Sequence, residues 1–150
     1  MADIRLATPA DLNSVVDCAR KAYEHYIDII GRKPAPMDAD YADFIAKQNV
    51  FLICDPRPRG HVVFYRQDDC MLLWSVAVDP AHHGRGYGRQ LMDYVETEAA
   101  RQKLRAVRLF THEKMRRNLT LYPALGYREI GRKNEKGFDR VFFEKAVKTT

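Results

Sequence analysis

Apolar residues recur along this chain at two periods, and the switches between the periods mark out its elements. Ile4-Arg-Leu-Ala7 alternates as a short strand. Thr8-Pro9 supplies a cap with proline at the first helical position, and Leu12, Val15, Val16, Ala19 and Tyr23 form a stripe at helical spacing. Gly31 can end that helix, Pro34 and Pro36 stiffen an extended link, and Asp38 can cap a second short helix carrying Tyr41, Phe44 and Ile45. Val50-Phe-Leu-Ile-Cys54, His61-Val-Val-Phe-Tyr65 and Met71-Leu-Leu-Trp-Ser-Val-Ala-Val78 read as three strands of an antiparallel meander. The prolines of Asp55-Pro-Arg-Pro-Arg-Gly60 make that stretch a loop between the first two of them.

After three alternate glycines, apolar residues return at Leu91, Val95 and Ala99 of a helix that runs through Lys103, with acids early and bases late, as the helix dipole favours. Ala106-Val-Arg-Leu-Phe110 is the next strand, and the intervening helix makes it parallel to the strand at 71–78. Met115, Leu119 and Tyr122 share one helical face, Pro123 shortens or kinks that helix, and Gly126 closes it. Tyr127-Arg-Glu-Ile130 and Arg140-Val-Phe-Phe-Glu144 are the last strands, around a turn at Lys133-Asn-Glu-Lys-Gly137. The expected fold is α/β (α+β): a mixed, mostly antiparallel sheet of six to seven strands with a central parallel pair, flanked by about four helices. At 150 residues, with 46% of them hydrophobic, one domain spanning 1–150 has enough material for a core.

Composition removes several function classes. The opening Met-Ala-Asp-Ile-Arg lacks an apolar signal core and no apolar run is long enough to span a bilayer, so a cytoplasmic protein with no membrane partner is expected. Cys18, Cys54 and Cys70 are odd in number and widely spaced, which supports neither a disulfide framework nor a zinc site. Adjacent His82 and His83 do not converge on one ion, and no metal is expected. The net charge of +5 is spread from end to end among acids, with no nucleic-acid motif beside it, so nucleic acid is not an expected partner.

The informative stretch is Val76-Ala-Val-Asp-Pro-Ala-His-His-Gly-Arg-Gly-Tyr-Gly-Arg89. The helix after it has no Ser, Thr, Asp or Asn just ahead of its first turn, although its leading N–H groups need partners. Gly84, Gly86 and Gly88 let backbone approach backbone, so those N–H groups can point at a phosphate or pyrophosphate. Neither Gly-x-x-x-x-Gly-Lys-Ser/Thr nor Gly-x-Gly-x-x-Gly occurs here. The bland alternative is a glycine-rich turn that only joins strand to helix.

Val-Ala-Val-Asp-Pro followed by Gly-Arg-Gly-Tyr-Gly resembles the acetyl-CoA pyrophosphate loop of the Gcn5-related N-acetyltransferase (GNAT) family, whose Gln/Arg-x-x-Gly-x-Gly/Ala pattern falls on His83, Gly86 and Gly88. His83 departs from the usual Gln or Arg. A second string, Leu121-Tyr-Pro-Ala-Leu-Gly-Tyr127, resembles the same family's Leu-Tyr-x-x-x-Gly-Phe/Tyr signature.

That resemblance implies an acyl-CoA N-acyltransferase fold whose parallel pair splays, with acetyl-CoA as co-substrate. The activity implied is acetyl transfer to a primary amine, a small molecule or a peptide N-terminus, by direct attack in a ternary complex. The implied cofactor-binding residues are Val76, Ala77 and Val78 through their backbone, His83, Gly84, Arg85, Gly86, Tyr87, Gly88 and Arg89 around the pyrophosphate, and Asn118. Tyr122 falls on the tyrosine that protonates the departing thiolate.

In the family the link between the first two helices borders the acceptor site. Tyr26 and Met37 are therefore candidate acceptor residues, with Trp74, against the plainer reading of a rigid linker and core aromatics. The splayed strands carry no carboxylate, which leaves water, His112 or Glu113 as the base. A homodimer is what the family suggests. The alternative is a non-catalytic CoA-binding regulatory or interaction module with the same fold.

Overall fold

Apolar runs produce most of the seven strands in the computed structural model, which describes residues 2–148. They are β1 (Asp3–Leu6), β2 (Val50–Cys54), β3 (Pro58–Gln67), β4 (Cys70–Val78), β5 (Ala106–His112), β6 (Arg128–Glu135) and β7 (Phe138–Ala146). Their order in the sheet is β1-β2-β3-β4-β5-β7-β6. β1 with β2, β2 with β3, β5 with β7 and β6 with β7 are antiparallel. β4 and β5 are parallel, as the crossover helix requires, and their register runs Cys70–Leu73 against Ala106–Leu109.

The helices are α1 (Leu12–Tyr23), α2 (Tyr26–Ile30), α3 (Tyr41–Ala46), α4 (Tyr87–Arg101) and α5 (Arg116–Ala124). This is the expected mixed sheet, with α2 added. That helix is a single short turn, closed by Gly31 at φ +88°, which its sequence marks only at the end. Thr8 and Asp11 form a reciprocal capping box at the start of the first helical segment. α3 corrects one reading: Asp40, not Asp38, accepts from the Asp43 N–H and caps it. Asp38 instead ends the short 3-10 turn Ala35–Met37.

Two further differences concern strand ends. Pro58 is the first residue of β3 rather than part of a loop, opposite Cys54 at a register irregularity, where a missing N–H costs the ladder little. β6 and β7 run on through the polar stretch to a two-residue turn, Lys136 at φ 53° and Gly137 at φ 82°. Pro123 stands one residue before the end of α5, and Gly126 at φ +94° closes it.

The chain divides into two compact units, one from the chain up to Phe64 with Ser75–Tyr94, the other from Tyr65–Trp74 with the chain from Val95 onward. In the first, Val15 and Ala19 of α1, Val50, Leu52 and Ile53 of β2, Val62 and Val63 of β3 and Leu91 of α4 are buried. In the second, Leu104, Val107, Leu109, Val141 and Phe143 are buried. Full burial of such side chains stabilises by about 1.5–3 kcal/mol each. Cys54 and Cys70 are buried and Cys18 half-buried, all as free thiols. Burial, with Asp79 and Asp17 nearby, pushes the Cys18 thiol up to about 12. Among the described residues no helix is long and apolar enough to cross a membrane, and no cluster of His, Cys, Asp and Glu is set to hold a metal ion.

Candidate active site

β4 carries the first part of the site. Leu73, Ser75 and Ala77 are buried, while Leu72, Trp74, Val76 and Val78 share the half-buried face. The backbone is fixed from the β3 side by Gly60, where a Cβ would fall 2.6 Å from the Ala77 carbonyl oxygen and 3.2 Å from the Val78 Cα. Only glycine admits that approach. The Asp79 N–H also donates to the Arg59 carbonyl, 2.9 Å away. Residues 77 and 79 therefore turn their polar groups toward β3, and by the two-residue period Val76 and Val78 turn theirs to the opposite edge.

The chain leaves β4 through a 3-10 turn, Pro80–His82, capped by the Asp79 carboxylate, which accepts from the Ala81 N–H at 3.0 Å. Gly84 and Gly86 follow at φ +80° and +81°. The Gly86 carbonyl accepts the first bond of α4, from the Gln90 N–H at 3.0 Å. Gly86 is thus the cap residue, and it brings no side-chain oxygen to the N–H groups of Gly88 and Arg89. A Cβ at Gly84 would meet nothing within 4 Å, at Gly86 only Gln90 Nε2 at 4.0 Å, and at Gly88 only Val78 Cγ2 at an ordinary 3.7 Å. The fold demands glycine at 84 and 86 for backbone conformation and has no packing need for it at 88. The space above the loop is open, and Arg85 and Arg89 are exposed beside it. A helix N-terminus with exposed arginines on the same loop is an arrangement that could hold an anion.

Side chains of the loop do more structural work than the sequence suggested. Tyr87 is 5% exposed and its phenol donates to Asp55 Oδ2, so its ring turns inward and only its backbone faces the loop. That bond is the main cause holding the Asp55 carboxyl below the usual range. Arg59 donates to the Asp55 carbonyl at 2.9 and 3.0 Å, and its Nη1 lies 2.8 Å from His82 Nε2. The β2–β3 connection thus braces the glycine loop. His83 is exposed, with Nε2 3.1 Å from the Val78 carbonyl. Of the acceptor candidates, Tyr26 opens α2, half-buried, with its ring centroid 3.9 Å from His25 and 6.5 Å from Tyr23, and Met37 is half-buried at the end of its 3-10 turn.

A small cavity of about 110 Å³ is lined by α1, β2 and β3, in part through Cys18, Leu52, Gly60 and His61, and by Asp79. His61 is 1% exposed, neither ring nitrogen has a hydrogen-bond partner, and the Tyr41 ring stands edge-on at 5.6 Å. Burial depresses the His61 pKa to about 4.

The remaining candidate residues lie in the other unit. Tyr122 is 6% exposed on α5, its ring 5.7 Å from Phe143 and 6.1 Å from Tyr127. Asn118 donates through Nδ2 to Thr111 Oγ1 at 3.0 Å. His112 accepts the Lys114 N–H at Nδ1, 3.1 Å away, and desolvation lowers its pKa. It is neutral at pH 7, but its basic nitrogen is already engaged. Glu113 lies 3.9 Å from Arg132.

Tyr26, Met37, Val76–Val78 and His83–Arg89 thus belong to one unit, Trp74, Asn118 and Tyr122 to the other. Sequence reasoning missed Gly60, Arg59, Asp55 and Tyr23, whose hydroxyl donates to the Val76 carbonyl at 2.8 Å. Gly60 had a signal, since an isolated glycine entering a strand marks close backbone approach. Tyr23 had a weaker one, a phenol on an apolar stripe that needs a partner when buried.

The family model for the acetyltransferase (GNAT) family matches residues 14–127. No curated protein matches the sequence. Among solved structures, the ribosomal-protein-S18-alanine N-acetyltransferase from Escherichia coli is similar at TM-score 0.78, with 16% identity over 100% of this chain and 96% of its own. The PaiA N-acetyltransferase from Thermoplasma acidophilum, in complex with coenzyme A, is similar at TM-score 0.78, with 15% identity over 97% and 99%. A GNAT-family acetyltransferase from Staphylococcus aureus Mu50 reaches TM-score 0.81, with 18% identity over 99% and 100%. At these identities the likeness is one of fold.

Proposed function

We infer that this chain, which belongs to the acetyltransferase (GNAT) family, holds acetyl-CoA on the Gly84–Arg89 loop and transfers its acetyl group to a primary amine. The observation that carries the reading is the loop itself. It pairs two glycines at positive φ with an α4 N-terminus that lacks a side-chain cap, and it leaves Gly88 with no packing reason inside the protein. A pyrophosphate supplies the missing partners and explains why a side chain is absent at 88.

Acetyl-CoA supplies an activated thioester. The rest falls to the protein: Arg85 and Arg89 flank the phosphates, the edge of Val76 and Val78 receives the amides of the pantetheine arm, and Tyr122 donates a proton to the leaving sulfur. Asn118 holds the Thr111 hydroxyl and steadies the start of α5. With the His112 lone pair engaged by the Lys114 N–H and Glu113 beside Arg132, the acceptor ammonium gives its proton to water before its nitrogen attacks. Tyr26 and Met37, and separately Trp74, are the residues to test for contact with the acceptor. The name of the Escherichia coli structure refers to an alanine of ribosomal protein S18, so peptides with a free N-terminus belong among the acceptors tried, beside small amines.

Calorimetric titration of acetyl-CoA into the wild type and into Gly86→Glu tests the reading. A side chain at φ +81° strains the backbone by about 1–2 kcal/mol, and the carboxylate repels phosphate. Saturable wild-type binding is expected, weakened at least a hundredfold by the substitution. Equal binding by both proteins would remove the phosphate from this loop. Binding without thiol release across the acceptor panel would favour the non-catalytic module.

A further inference from the structure

Val76 and Val78 turn their carbonyls to the β4 edge that faces away from β3, and the β5 register covers only Cys70–Leu73 of this strand. Strand-edge carbonyls left without a partner cost free energy and invite pairing with any extended chain. Here both are capped by side chains from separate elements. Tyr23, the last residue of α1, donates its hydroxyl to the Val76 carbonyl at 2.8 Å, 53 residues away in sequence. His83, in the glycine loop, approaches the Val78 carbonyl with Nε2 at 3.1 Å. A carbonyl oxygen only accepts, so Nε2 is the protonated nitrogen of that ring. Two donors thus stand two residues apart along one edge, in the positions that amide N–H groups of an added strand occupy.

We propose that Tyr23 and His83 are placeholders for the pantetheine amides: they hold the Val76 and Val78 carbonyls in the free protein and give them up when the arm of the cofactor lies along β4. The proposal rests on the reading of the Gly84–Arg89 loop as an acetyl-CoA cradle. It gives the departure at His83 a role, since a ring that closes onto Val78 in the free protein swings away as the arm arrives. It also ties α1 to the cofactor, because Tyr23 must release Val76 beside the aromatic pair Tyr26 and His25. The free edge is thereby protected from stray pairing until the correct ligand displaces both caps.

The placeholder bonds are broken on binding, so removing one strengthens the affinity for a ligand with the arm and leaves a ligand without it unchanged. The test is calorimetric titration of acetyl-CoA and of ADP, which brings a pyrophosphate and no pantetheine arm, into the wild type, Tyr23→Phe, His83→Ala and His83→Gln. The readout is the ratio of the two affinities, which cancels any contact of His83 with phosphate and any general loosening of the loop. Tyr23→Phe and His83→Ala are each expected to raise the acetyl-CoA to ADP ratio by roughly two- to tenfold, the worth of one net hydrogen bond. His83→Gln keeps a donor and keeps the wild-type ratio. Ratios that stay fixed or fall in both Tyr23→Phe and His83→Ala overturn the proposal, a fall meaning that these side chains bind the arm themselves. A wild type that binds neither ligand overturns the cradle reading, and this proposal with it. Binding of both ligands at unchanged ratios removes the placeholders alone.

Discussion

The Gly84–Arg89 loop is exposed and keeps its shape through backbone conformation and the brace from Asp55 and Arg59, whereas α5 and the turn after it keep theirs through buried rings. At the loop the backbone is exposed by the absence of side chains at 84, 86 and 88. On α5 the proposed proton donor, Tyr122, sits against Phe143 and Tyr127 and is part of the core. On the proposed reading, function and stability are therefore separable at the loop and entangled on α5.

The sharpest test of that contrast is at Tyr122. Tyr122→Phe keeps the ring and removes the proton, so kcat is expected to fall about 10²- to 10⁴-fold with stability nearly unchanged. Tyr122→Ala should lose the same activity and, in addition, about 3–5 kcal/mol of stability in denaturant unfolding. If Tyr122→Phe retains wild-type kcat, Tyr122 is only a core residue and α5 loses its catalytic part.

On the loop side, stability resides beneath the loop, in β3. The folded-state pKa of His61, about 4, lies below its unfolded value near 6.5, so the unfolded chain binds the extra proton between them. Its contribution is whole above pH 6.5 and declines as pH falls toward 4, by about 2 kcal/mol between pH 7.5 and pH 5. Urea unfolding at those two pH values, compared with His61→Phe, checks it. An equal acid loss in the variant would clear His61.

A comparable effect is expected at Gly60→Ala, whose Cβ would press on the Ala77 carbonyl: about 1–3 kcal/mol of stability, with acetyl-CoA affinity weakened as the β4 edge shifts. Gly88→Ala should be nearly silent in unfolding, within about 0.5 kcal/mol, because the protein leaves its Cβ free. It should still weaken acetyl-CoA binding. A Gly88→Ala protein that binds normally would mean the ligand does not come close there.

Both motifs were legible because each is local: glycines that need positive φ, and a helix whose apolar face and closing Gly126 lie within a dozen residues. The parallel pairing of β4 and β5 followed from the helix between them. The full length of β6 was not legible, since Arg128–Glu135 lies almost wholly exposed and its charged run lacks the alternation that marks a buried face. The cap expected at Asp38 lies two residues on, at Asp40, directly ahead of the helix that buries Tyr41 and Ile45. The contacts of Tyr23 with Val76 and of Tyr87 with Asp55 join residues 53 and 32 apart, and nothing short-range encodes them.

The three thiols have a use beyond packing. Cys54 lies in the first compact unit and Cys70 in the second, each buried and unoxidised. A thiol reagent reaches neither until the surrounding strands open. With Cys18, whose thiolate burial disfavours, replaced by serine, the alkylation rates of Cys54 and Cys70 become two clocks in one molecule, one for each unit. Whether acetyl-CoA slows one clock or both then reports how far the order imposed by the ligand spreads through the chain.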